Sequence, residues 1–380
     1  MNINSFNPNP VLLMGAAPAG VDERVLNALS KPIVSHLDKS FIKLMNEICY
    51  LIRYIFQTSN TFTFPIQGPA SAAMEAAFLN LIEPEDTVIV CENGLYGERM
   101  SEILRLYDAN VIPIHHEWGE AIDINRVSET LKKYPNTKLV CAVHGESSTG
   151  VISNIQGIGE ICKDHEALFL VDVACTIINE NVKMDEWGID TIYCNSQKSI
   201  ASSPGLAPFS LSEKAINCIK KRKTPVKSYF LDFDRIMENW HMQEEALRTY
   251  HHTAAVNNFY ALHEALSIIH NNGLDVVQNQ YKQNAMILKN GLKELGVEFF
   301  TPESLHVPIV NVINIESEQM QRKIIDSLYF DHNIQISGGL GKLLNKVIRI
   351  SALGTSNNID DINRTLDATK KVLHNWKKSV

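Results

Sequence analysis

Four short apolar runs, each followed by a cluster of polar residues, constrain the fold of this chain more than any other feature. They are Thr87 to Cys91, Leu139 to Val143, Ala167 to Val171 and Thr191 to Cys194. Runs this short, rich in β-branched and apolar residues and separated by helical stretches, read as strands. One intervening stretch, Ser71 to Leu81, places Met74, Ala77, Phe78 and Leu81 at helical spacing. Strands with no polar alternation are buried on both faces, which predicts a mostly parallel α/β sheet. The residues after the runs are Glu92-Asn93-Gly94, His144-Gly145-Glu146-Ser147, Asp172, and Asn195 to Lys198. Ligands of open α/β sheets bind outside the carboxyl ends of the strands. Polar clusters at four such ends therefore predict one site.

Past about residue 260 the texture changes. Helical stretches (Ala261 to His270, Tyr281 to Leu295) precede an extended run (Pro308 to Ile315), a strand (Val347 to Ser351) and a closing helix (Asp360 to Trp376). This predicts a smaller α+β domain. The expected division is an N-terminal arm over 1–20, a large domain over 21–272 and a small domain over 273–380.

With 380 residues, the chain is long enough to bury a sizeable core. Its formal charge of −8 argues against a nucleic-acid partner, and the basic run Lys220-Lys221-Arg222-Lys223 reads as a solvated helix end. No run approaches the roughly 20 apolar residues needed to span a bilayer. The seven cysteines include no C-x-x-C pair, and the first ten residues lack the features of a signal peptide. A reducing compartment, the cytoplasm, is expected. His115-His116 and His251-His252 invite a metal reading. Adjacent histidines on a strand point apart, however, and no third ligand is evident, so no metal is expected.

Lys198 is the most telling single residue. It follows a buried strand among small polar neighbours, in Asn195-Ser196-Gln197-Lys198-Ser199, an odd place for a solvated lysine. An amine taken out of water can act as a Schiff-base nucleophile and proton carrier. Asp172 ends a strand too apolar to finish in a carboxylate by chance; it would equally suit a helix N-cap. Paired with Lys198, it suits the acidic partner that pyridoxal phosphate needs at its pyridinium nitrogen.

Several further motifs fall in order along the chain. They are His144-Gly145-Glu146-Ser147-Ser148-Thr149-Gly150, Val171-Asp172, Met184 to Asp190, Ser196-Gln197-Lys198, Tyr250-His251-His252-Thr253, Gly338-Gly339-Leu340-Gly341 and Lys346 to Ile350. Together they resemble the class V aminotransferases, in the branch of the serine–pyruvate and alanine–glyoxylate enzymes, from about Leu12 to the last helix. The resemblance implies an aspartate-aminotransferase-like large domain (fold type I) with a mixed, mostly parallel sheet, plus the smaller C-terminal domain. It implies pyridoxal 5′-phosphate bound to Lys198, with Asp172 on the ring nitrogen. Ser147 matches a serine beside cofactor and substrate carboxylate, Gln197 a glutamine near the phosphate, and Tyr96 the position of a tryptophan that stacks on the ring. Tyr250 and Thr253 match residues reaching the phosphate of a neighbouring subunit, which implies a homodimer with a shared site. Arg349 matches the arginine that grips the substrate carboxylate. The substrates implied are a small amino acid and a 2-oxo acid.

The chain also departs from that pattern. The phosphate turn reads Gly68-Pro69-Ala70-Ser71, where the family has Gly-Ser-Gly-Thr or similar. Pro69 removes a hydroxyl and an amide donor, leaving Ser71 and the first helical amides. Ile178 and Asn179 stand where the family has two glycines. Bulk there predicts a narrowed pocket and a substrate other than alanine or glyoxylate. Two alternatives fit the same residues: a pyridoxal-phosphate lyase on the same scaffold, and a non-catalytic dimeric member of the family.

Overall fold

The computed structural model describes residues 5–240 and 250–379. A seven-stranded sheet lies at its centre: β1 (Thr63–Gln67), β2 (Thr87–Glu92), β3 (Asn110–His115), β4 (Leu139–Val143), β5 (Leu168–Asp172), β6 (Thr191–Tyr193) and β7 (Leu206–Leu211). Their order across the sheet is β1-β7-β6-β5-β4-β2-β3, and β7 alone runs antiparallel to its neighbours. The four runs read from the sequence are β2, β4, β5 and β6. The other three strands are additions, and prolines explain why they are hard to read: Pro65 interrupts β1, Pro113 lies in β3 and Pro208 in β7. Pro65 faces Pro208 across the β1–β7 ladder. The Pro208 carbonyl accepts from Cys194 N on the β6 side, so Pro65 turns its missing donor toward the open edge, where a sheet tolerates proline. Pro208 has no N–H to return to Cys194. The regular β6 ladder ends at Tyr193, one further bond joins Ser196 N to Leu206 O (3.1 Å), and the chain then leaves the sheet toward Lys198.

Six of the seven strands run in one direction, so their carboxyl ends share one edge. Helices α1 (Ala70–Leu81) and α2 (Leu95–Leu106) start there, directly after β1 and β2. Strands β2, β4 and β5 are buried almost throughout, as their unbroken apolar pattern requires, whereas the edge strand β3 is half-exposed.

A second, smaller core packs Leu288, Leu292, Ile313, Ile324, Leu328 and Ile348 together with Met14 from the other end of the chain. Around it stand a three-stranded antiparallel sheet of β8 (Asn311–Asn314), β9 (Ser337–Gly338) and β10 (Val347–Ile350), with β10 in the middle. Helix α3 (Val256–Asn272) packs on the first core. Helix α4 (Leu274–Glu294) contributes Tyr281 to the first core and Leu288 to the second.

Candidate active site

At the shared strand edge lies a cavity of about 150 Å³, bordered by Ser71, Tyr96, Arg99, Ser147, Asp172 and Lys198 among others. The loop carrying Lys198 is held from several directions. Ala19 N donates to Gln197 O (2.8 Å), Ser196 Oγ to Ser203 O (2.6 Å) and Ala201 N to Lys198 O (2.9 Å). The buried Tyr281 hydroxyl donates to Ser199 O (3.2 Å). Lys198 itself is buried, with Nζ 3.5 Å from Ser147 Oγ and 5.8 Å from the centre of the Tyr96 ring.

Asp172 is the last residue of β5 and only 4% exposed. Burial pushes its carboxyl above the usual range, opposed by the Ala174 amide (2.8 Å) and by the charges of Lys198 and Arg99. Arg349, on β10, is buried too. It donates from Nε to Gly338 O (2.9 Å) and from Nη1 to Ser147 O (3.2 Å). Both partners are carbonyls, and no described residue forms an ion pair with it. Ser147 thus sits between the lysine and the arginine, its side chain toward one and its backbone toward the other.

Two residues that carried no assigned role in the sequence organise this end of the site. Glu146 is fully buried and its carboxyl is raised by that burial. It accepts from Tyr96 N (2.9 Å), Ser148 N (3.0 Å) and Ser148 Oγ (2.6 Å), while Leu95 N donates to Ser148 Oγ (3.0 Å). It therefore caps α2 and sets the position of Tyr96. Gly94 is required here, because a Cβ would run into the Glu146 side chain. Arg99, three residues after Tyr96 on the same helix face, also borders the cavity. That spacing is the sequence signal that could have singled it out.

Of the residues singled out in the sequence, Ala70, Ser71, Tyr96, Ser147, Asp172, Gln197 and Lys198 all border the cavity. Arg349 adjoins it through Ser147. Tyr250 and Thr253 do not border it: both are exposed, their hydroxyls 3.4 Å apart. Their segment is tied to the end of β1, where Ala255 N donates to Gln67 Oε1.

Two expectations need correction. Ile178 and Asn179 do not fill the pocket. Both are fully buried and neither borders the cavity; Ile178 joins the main core at a φ of +72°, and Asn179 donates to Cys175 O and Ser199 Oγ (both 3.0 Å). The turn after Asp172 directs these side chains into the protein, so their bulk supports the Lys198 loop without narrowing the pocket. His251 and His252 lie outside any strand, and their rings meet, with Nδ1 atoms 2.7 Å apart. The irregular backbone there allows what strand alternation forbids.

A buried amine and a buried carboxylate at the strand ends of the α/β sheet, with a buried guanidinium reaching Ser147 from β10, make a site suited to amino-acid-like compounds. The aminotransferase class-V family model matches residues 11–365. The alanine–glyoxylate aminotransferase of Mus musculus is 32% identical over 97% of this chain and 89% of its own length. The (S)-ureidoglycine–glyoxylate transaminase of Bacillus subtilis is 33% identical over 90% of this chain and 86% of its own length. The crystal structure of an alanine–glyoxylate aminotransferase from Nostoc sp. superposes with a TM-score of 0.94 at 32% identity, covering 98% of each chain. The chain belongs to the class V aminotransferase family. It is an aminotransferase that moves an amino group between an amino acid and a 2-oxo acid.

Proposed function

We propose that the cavity holds pyridoxal 5′-phosphate on Lys198 and that the enzyme is a homodimer of the cytoplasm acting on a small α-amino acid. The observation that carries this reading is the placement of Lys198 Nζ in a cavity with the buried Asp172 carboxylate and the amino terminus of α1 on its walls. The donor set suits a phosphorylated pyridine aldehyde: an amine for the aldehyde, a carboxylate for the ring nitrogen, and helix amides with a hydroxyl for the phosphate. Buried oxygens of Asn195 and Gln197 border the same space without a protein partner.

Bound there, the cofactor supplies an electron sink for the bonds at the substrate α-carbon. Asp172 keeps the ring nitrogen protonated. Lys198 Nζ carries the proton taken from the α-carbon, with Ser147 Oγ beside it. Arg349 takes the substrate carboxylate, which a planar guanidinium grips bidentately. Tyr96, whose backbone is fixed by Glu146, would supply an aromatic face for the cofactor ring. Tyr250 and Thr253 present exposed hydroxyls suited to the phosphate in a second copy's site.

Protein mixed with pyridoxal phosphate should gain visible absorbance that Lys198→Ala lacks. Wild-type protein that gains no band under excess cofactor sinks the cofactor reading. Light scattering of the loaded enzyme should give twice the 42.7 kDa chain mass; a monomer with cofactor bound sinks the shared site.

A further inference from the structure

We propose that Arg99 is the principal cation that seats the cofactor's phosphate in this chain, a role that rests on the cofactor reading above. The seat at the start of α1 is poor in donors. Pro69 has no N–H, and neither Pro69 nor Ala70 has a hydroxyl. The amides of Ala72 and Ala73 turn back to Pro69 O (2.8 and 3.4 Å). What remains is the Ser71 hydroxyl and the first helical amides, whose dipole is worth roughly half a unit charge. A phosphate ester carries close to two negative charges.

Arg99 stands where the missing charge is needed. Its Nη1 lies 3.5 Å from Ser71 Oγ, at the outer edge of hydrogen bonding, and its guanidinium sits 5.1 Å from the centre of the Tyr96 ring. It borders the cavity, and among the described residues no carboxylate forms an ion pair with it. A guanidinium fork offers parallel donors to phosphate oxygens, which a single hydroxyl cannot. The cation–π contact with Tyr96 holds the guanidinium beside the ring. The same ring is expected to cover the cofactor, so one helix turn would hold both the ring and the phosphate.

The experiment compares two ligands: pyridoxal phosphate and pyridoxal, which lacks only the phosphate. Each is titrated into wild type, Arg99→Gln and Arg99→Lys, following visible absorbance at equilibrium. Arg99→Gln should weaken pyridoxal phosphate about tenfold or more and leave pyridoxal unchanged, with Arg99→Lys in between. Adding Pro69→Ser and Ala70→Gly to Arg99→Gln should recover much of the lost affinity. Equal weakening of both ligands, or no weakening of either, overturns the role given to Arg99. Retained pyridoxal binding shows that the variant is folded. A wild type that binds neither ligand overturns the cofactor reading, and this inference with it.

Discussion

Arg349 is a buried guanidinium whose contacts are two carbonyls, an arrangement that leaves its charge for a ligand. Glu146 is near enough to feel that charge, yet its oxygens are taken by Ser148 and Tyr96. Arg349→Ala should lower kcat/KM for the true amino acid by about a hundredfold or more, the loss of a bidentate charged contact. Steady-state rates across a panel of amino acids would check this; simple amines, already poor, should change little. Ile178 poses a different residue-scale question. A β-branched side chain at positive φ is strained, by roughly 1–3 kcal/mol, and persists only because the surrounding core holds it. Ile178→Ala should cost roughly 2–5 kcal/mol of unfolding free energy through the cavity left behind. It should leave the ranking of substrates intact, because the side chain does not border the site. A changed ranking, measured on the same panel, would contradict the position assigned to it.

At the scale of the element, α2 shows how one helix terminus shapes a site. Its first turn has no side-chain cap from Gly94, and the buried Glu146 and Ser148 do that work from another strand end. A carboxylate at a helix amino terminus is favoured by the dipole, which offsets part of the cost of burying it. Glu146→Ala should leave Tyr96 N and Ser148 without their acceptor, at roughly 1–3 kcal/mol for each buried group left unpaired. Thermal unfolding of the cofactor-free protein reads that loss. The absorbance of bound cofactor should shift as well, since Tyr96 is no longer fixed; an unchanged spectrum would separate capping from ring placement. Helix α1 behaves oppositely: Pro69 offers no side-chain cap, so the amides of Ala70 and Ser71 stay available for an anion, while those of Ala72 and Ala73 turn back to Pro69 O.

For the whole molecule, stability should depend on pH through groups buried in their neutral forms. His144, fully buried against Thr176, is pushed down to about 4 by burial, and His252 to about 4 by burial and by the neighbouring His251 and His36. A histidine whose folded pKa lies below its unfolded value of about 6.5 binds protons more readily in the unfolded chain. Its contribution is complete above that value and is lost as pH falls toward 4. Asp172 and Glu146, raised by burial, act in the opposite sense and favour the fold as they protonate. The difference isolates the histidine: His144→Asn should lose less stability between pH 7 and 5 than wild type, by urea unfolding without cofactor. Equal losses would contradict it. Much of this molecule was legible in the sequence, because β2, β4, β5 and β6 are short runs buried on both faces and their polar ends are local signals. Asp172 and Lys198 stand out for the same reason: a charged group at the end of an apolar run is a local contradiction, which a backbone cap answers only in part for Asp172. Strands β1 and β7 were hidden because Pro65 and Pro208 look like breaks until the two strands face each other. Where Ile178 and Asn179 point, how Glu146 reaches the start of α2, and how Arg349 reaches Ser147 were decided by tertiary packing. Those contacts join residues 50 to 202 positions apart or turn on the backbone angle of one residue, and neither leaves a periodic mark in the chain.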